Sequence, residues 1–155
     1  MVKYTPAAKS AASVGLRNTQ PFTRALGIYQ KSSAMKRDMD LVRQILLTLS
    51  NHESGYAPPH LELEGYNKSQ IKYHCLIMGE AGLILAEDHT ELGDTSPGAS
   101  AIRLTWEGHD FIANAENEEN WTQTKSALSK LGDVSFSIWG SVLTSVVKQN
   151  LGINA

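Results

Sequence analysis

Two short apolar runs enclose a long polar segment near the middle of the chain, and this arrangement limits the fold more than any other feature. LILAE, residues 83–87, reads as a strand. HTELGDTSPGAS, residues 89–100, is rich in Gly, Pro, Asp and Ser and reads as a wet turn. AIRLT, residues 101–105, reads as the returning strand. The chain here is an antiparallel hairpin whose tip spans about residues 89–99. Its second strand runs without a break into RLTWEGHDFI, residues 103–112. Thr105 stands where a side-chain hydroxyl caps a new helix, and Glu107 falls in that helix's first turn, where the dipole favours an acid. Trp106, Phe111 and Ile112 are expected to cover the core.

The hairpin is preceded by two helical patterns. In MKRDMDLVRQILLTLSN, Met39, Val42, Ile45, Leu46 and Leu49 recur at helical spacing, and Lys36, Arg37, Asp38 and Asp40 predict a charged, solvated first turn. Gly55 and Pro58-Pro59 stop that helix. Leu61 and Leu63 then alternate with Glu62 and Glu64, the period of a short strand or extended segment. In NKSQIKYHCLIMGEAGLI, Asn67 and Gln70 have capping-box spacing, Ile71, Cys75 and Met78 share a face, and Gly82 sits at a helix C′ position.

Two more helices follow the junction. Trp121, Thr124, Leu128 and Leu131 form one stripe, closed by Gly132. Ser135 caps the last helix, whose stripe is Trp139, Val142, Leu143 and Val146; Gly140 within it suggests close approach of another helix. Helix, extended segment, helix, hairpin, helices is the outline of an α+β winged helix-turn-helix, residues 35–116, with two additional C-terminal helices in residues 117–155.

Residues 1–34 differ in character. They hold Lys3, Lys9, Arg17, Arg24 and Lys31 and no acid, a charge of +5. The remaining nine bases and all sixteen acids give residues 35–155 a charge of −7. The segment reads as a basic arm that attracts nucleic acid or an acidic surface, or as a leader outside the native domain with Met35 as the true start. The chain has no apolar run of the roughly 18 residues a bilayer requires, and its single cysteine, Cys75, fits a reducing, cytoplasmic setting.

From Met35 onward the sequence resembles the DUF2513 family of bacterial and phage proteins. The resemblance rests on MKRDMDLVRQILL, LELEGYNKSQIKYHCLIMGEAGLI, RLTWEGHDFI, the W..TK helix and VLTSVVKQNLG, covering residues 35–152 in order. It implies a winged-helix-like fold, similar to the YjcQ-like group, and carries no enzyme activity with it. Leu104, Thr105 and Gly108 also match the strand-L-T-x-x-G-helix pattern found where the wing exits in many winged-helix regulators.

The sequence offers little catalytic chemistry. His109 and Asp110 point about 100° apart on a helix, and no G-x-S-x-G elbow supplies a nucleophile. His52, His60, His74, His89 and His109 are scattered, so no metal site is expected. Gly79, Gly82 and Gly93 lack phosphate-loop spacing, so no cofactor is expected, and Cys75 reads as a small core residue. The chain reads as non-enzymatic.

Binding is the stronger expectation. On a recognition helix, Lys68, Ser69, Gln70, Lys72, Tyr73 and His74 would face double-stranded DNA, with Arg103 as the basic group of the wing. Glu91 and Asp94 in the wing oppose that reading. The same scaffold also serves protein contacts. Trp139, Val142, Leu143, Val146 and Val147 form a stripe wide enough for a homodimer seam. Two classes therefore stay open: a DNA-binding regulator of a bacterium or mobile element, and a module that binds and modulates another protein.

Overall fold

A computed structural model describes residues 34–153 of the chain; the basic-arm expectation for residues 1–34 falls outside the described residues apart from Ala34. Five helices and one hairpin follow in order: α1 (Met39–Ser50), α2 (Lys68–Glu80), β1 (Ile84–Asp88), β2 (Ala99–Leu104), α3 (Trp106–Ala115), α4 (Glu118–Leu128) and α5 (Phe136–Asn150). The described fold is α+β, with a two-stranded antiparallel sheet.

α1 is more deeply buried than its stripe predicts. Leu41 joins Met39, Val42, Ile45, Leu46 and Leu49 in the core, because α2, α3 and β2 all pack on this helix. Its first turn is not simply solvated. Asp38 caps it, accepting from the N–H groups of Asp40 and Leu41 at 2.9 and 3.3 Å. Asp40 accepts from the Trp121 indole N–H at 2.8 Å and from the Lys125 ammonium at 2.9 Å, tying α1 to α4. Arg43 provides the other tie. Its guanidinium donates to the carbonyls of Ala115 and Glu116 at the end of α3 and lies 5.4 Å from the Trp121 ring centroid.

Between α1 and α2, residues 51–67 form neither helix nor strand. The alternation predicted for 61–64 is present as burial: Leu61 and Leu63 pack on the core while Glu62 and Glu64 face out. No ladder forms there. One bond does reach the hairpin, from Ala57 N–H to Ile102 C=O at 2.7 Å. Ile102 is the extra residue of β2, since the register runs Leu85↔Arg103 and then Ala86↔Ala101. That irregularity frees the Ile102 carbonyl for the connector.

α2 carries the predicted capping box, with Asn67 and Gln70 each accepting from the other's backbone N–H at 2.9 and 3.0 Å. It ends in a Schellman turn. Leu83 N–H reaches Met78 C=O, Gly82 N–H reaches Gly79 C=O, and Gly82 takes φ +74°.

Thr105 joins three elements. Its hydroxyl accepts from Gly108 N–H at 3.1 Å, capping α3, and donates to Gly82 C=O at the end of α2. Its own N–H donates to Leu83 C=O at 3.2 Å. A Cβ on Gly108 would lie 2.0 Å from the Leu83 oxygen, so this position needs glycine for close approach. Phe111 and Ile112 are buried as expected, but Trp106 is 78% exposed. It occupies the first helical position, on the side of α3 away from Phe111.

α4 and α5 close the core. Trp121 and Trp139 stack with centroids 4.9 Å apart, and Phe111 meets Phe136 at 5.0 Å. Leu131 departs from the expected stripe: α4 ends at Leu128, and the turn beyond it leaves Leu131 exposed. Gly140 also departs, since a Cβ there would meet no atom within 4 Å. No neighbouring helix uses its small size among the described residues.

Candidate nucleic-acid interface

The candidate site is the N-terminal half of α2. Helical geometry places Lys68, Ser69 and Lys72 outward, and all three are exposed. Their side chains make no hydrogen bond or ion pair among the described residues. Tyr73 is half-buried, its ring edge-on to His74 at 5.8 Å.

Gln70 and His74 correct the sequence reading. They are 7% and 2% exposed, and both are committed to holding α2 in place. Gln70 supplies half of the capping box. His74 Nε2 accepts from the backbone N–H of Asp38 at 2.9 Å, so its proton resides on Nδ1, which donates to Gln70 C=O at 2.8 Å. The imidazole thus bolts α2 to the cap of α1. Tyr66 adds to the same junction, donating from its hydroxyl to Asp38 at 3.3 Å.

Arg103 is exposed, but it belongs to another place. Gly98, just before the returning strand, packs against Lys72; a Cβ on Gly98 would lie 2.8 Å from Lys72 Cβ. Arg103 lies five residues further along, roughly 17 Å at strand rise. Its guanidinium donates to Leu104 C=O at 2.9 Å. The structure therefore brings Lys68, Ser69 and Lys72 together and leaves Arg103 at the hairpin base.

Two depressions flank this helix face. One, of about 610 Å³, is bounded by the connector at Pro58–Glu62, by α2 and by Ala99–Ala101 of β2. The other, of about 180 Å³, lies between Ser69, Lys72 and hairpin-tip residues Asp94–Gly98. The tip is held by its own bonds. Thr90 N–H donates to Asp88, Gly98 N–H to the Thr90 hydroxyl, and Glu91 N–H to Asp94. Hydrogen bonds from the Thr90 side chain and backbone hold the Asp88 carboxyl below its usual range, with His89 nearby contributing in the same direction. The hairpin tip carries the acids Glu91 and Asp94 and no lysine or arginine.

The expected seam residues on α5 are placed differently. Trp139 and Leu143 are buried within this one chain, against α4 and the core, and are unavailable to a second copy. Val142, Val146 and Val147 are half-buried. At the junction, His109 and Asp110 are exposed; Asp110 borders a shallow depression shared with Ser137, Ser141 and Thr144 of α5, and His109 is not among its lining residues. No group of three or more His, Cys, Asp or Glu among the described residues is arranged to hold a metal ion. No described helix is long and apolar enough to cross a membrane.

Sequence reasoning missed Arg43 and Asp40, which organise the α1–α4 contact. Their signal was faint: two charges on the flank of an amphipathic helix look solvated until the partner helix is placed.

No solved structure matches the chain. A protein of Haemophilus influenzae described as an uncharacterized protein is 32% identical over 120 residues, covering 76% of this chain and 99% of its own length. The model of the family described as "Hypothetical protein (DUF2513)" matches residues 36–134, from just before α1 to just beyond α4. The matched span includes the Thr105 junction and the whole of α2, and on these two findings the chain belongs to the DUF2513 family.

Proposed function

We propose that this chain is a non-enzymatic regulator of winged-helix type that holds duplex DNA against the outer face of α2. One observation carries the reading: α2 divides its polar residues cleanly. Gln70 and His74 face inward and are bonded, while Lys68, Ser69 and Lys72 face outward without partners among the described residues. Two lysines one helical turn apart suit adjacent phosphates, and Ser69 between them suits a third contact. Both strands of the hairpin pack on α2, which supports reading the hairpin as a wing.

The test is a mobility-shift titration with mixed duplex DNA at low salt. Lys68→Ala with Lys72→Ala is expected to abolish the shift, or to lower the salt slope of log Kobs by about 2. A shift unchanged in that double variant but lost when residues 1–34 are removed would assign binding to nonspecific attraction by the five bases of that segment.

A second reading has its own observation. Between residues 58 and 104 three bases (Lys68, Lys72 and Arg103) face seven acids, a net of −4 around the site. Such a surface repels a polyanion and suits a protein partner with basic groups. The exposed Trp106 would then be an anchor for that partner. A chain that shifts no duplex at any salt, yet co-purifies with a stoichiometric partner released by Trp106→Ala, would favour this reading.

A further inference from the structure

The larger depression beside α2 has the makings of a ligand site. Its floor is apolar: Ile71 and Cys75 from α2, Ala99 and Ala101 from β2, and Leu61 from the connector. Its rim is polar, with Lys68 and Lys72 on one side and His60 and Glu62 on the other, and Ser100 at one end. About 610 Å³ falls within the range of small-molecule pockets, roughly 300–1,000 Å³. Lys68 and Lys72 stand four residues apart on one helix, so their Cβ atoms lie about 5–6 Å apart, close enough for both side chains to reach one anionic group. Two lysines against Glu62 leave the rim at +1 with His60 neutral, inside a body whose residues 35–155 carry −7.

We infer that this groove binds a small organic anion with an apolar body, such as a carboxylate or sulfonate on a ring or short chain. The anionic group sits between the Lys68 and Lys72 ammonium groups, and the apolar body lies over Leu61 and Ala101, the half-buried apolar residues of the groove, with Ile71 beneath. Glu62 opposes it from the far rim and sets a limit on how much charge the ligand carries. The regulatory consequence rests on the DNA reading above: both lysines are the ones proposed to hold phosphates, so ligand and duplex exclude each other. Occupancy of the groove would release DNA.

Anilinonaphthalene sulfonate is a suitable probe, since it has this chemistry and fluoresces when bound. Added to the full chain below its melting temperature, it is expected to bind saturably and one to one. Octanoate is expected to displace it. Lys68→Ala or Lys72→Ala should weaken binding roughly five-fold each, Glu62→Gln should tighten it about two-fold, and Lys130→Ala should leave it unchanged. Absence of saturable binding would overturn the inference, as would affinity unchanged in the Lys68→Ala/Lys72→Ala double variant. The probe titration contains no DNA, so it stands or falls independently of the mobility shift. Where the chain does shift duplex, failure of the bound probe to displace that duplex would refute the exclusion.

Discussion

Replacing Thr105 with valine removes one oxygen and keeps the shape, which makes it the sharpest test of the strand-to-helix junction. The hydroxyl serves two partners at once, accepting from Gly108 N–H and donating to Gly82 C=O. Loss of the cap costs about 1 kcal/mol, within a range of about 0.5–2. Loss of the donor leaves the Gly82 carbonyl without that bond, at about 1 kcal/mol more, since the site is half-buried and water reaches part of it. The sum is about 2 kcal/mol. For a folded body of this size that is a fall in melting temperature of roughly 6–12 °C. The assay is a circular-dichroism melt with a parallel urea titration. Thr105→Ser keeps the oxygen and should recover most of the loss. His109→Ala, four residues away on an exposed surface, should stay within about 0.5 kcal/mol of the parent. A valine variant as stable as the parent, or a serine variant as unstable as valine, would refute the double role of the hydroxyl. A large loss in His109→Ala would reopen the question of what that imidazole does.

Three further outcomes follow from the same structure. Gly108→Ala should cost more than Thr105→Val, about 3 kcal/mol or above by urea titration, because its Cβ would meet the backbone oxygen of Leu83 rather than a side chain that can turn away. Cys75 should resist a thiol reagent in the native chain at pH 8 and react fully in urea. Burial pushes its thiol from 9.0 up to about 11, against a smaller opposing effect from a hydrogen bond with the Ala101 backbone. The folded state therefore holds that proton longer than the unfolded state. Its contribution is complete below pH 9 and is lost between pH 9 and 11, up to about 3 kcal/mol, a loss that Cys75→Ala should not show in urea titrations across that window. Trp139→Ala should lower stability by about 3–5 kcal/mol, since it empties a buried site stacked on Trp121, while light scattering of the folded fraction should show the parent's molar mass.

The elements that the sequence revealed are those with local causes. The Asn67–Gln70 box, the Gly82 turn and the Thr105 cap are each set by residues within a few positions of one another, and each appears in the structure as its spacing implies. The turn chemistry of residues 89–98 likewise placed the hairpin. What sequence periodicity could not supply was the identity of the neighbour. Leu41 lies off the main stripe of α1 and is buried only because α1 is enclosed by several elements. Trp106 is expected to cover the core together with Phe111, yet its place at the first turn of α3 turns it to solvent. The same difficulty affects the candidate site. Six neighbouring polar residues on α2 look alike in sequence, and only the positions of Asp38 and Asn67 decide which of them are already committed.

That division has a consequence for what α2 can read. Among its polar residues, Gln70 is the one whose amide could bond adenine through two atoms at once, and it is held inside by the capping box. His74 is likewise bound to the α1 cap. The outward set is Lys68, Ser69 and Lys72, groups that suit phosphate oxygens at any sequence; only a lysine placed over guanine would add base discrimination. A duplex held this way would be gripped mainly by charge, from a body that is itself acidic. Such binding is weak at physiological salt and easily reversed. On the proposed reading it would be open to control by an anion that neutralises two lysines, and a helix face that discriminates sequence poorly would gain more from such control than from additional contacts.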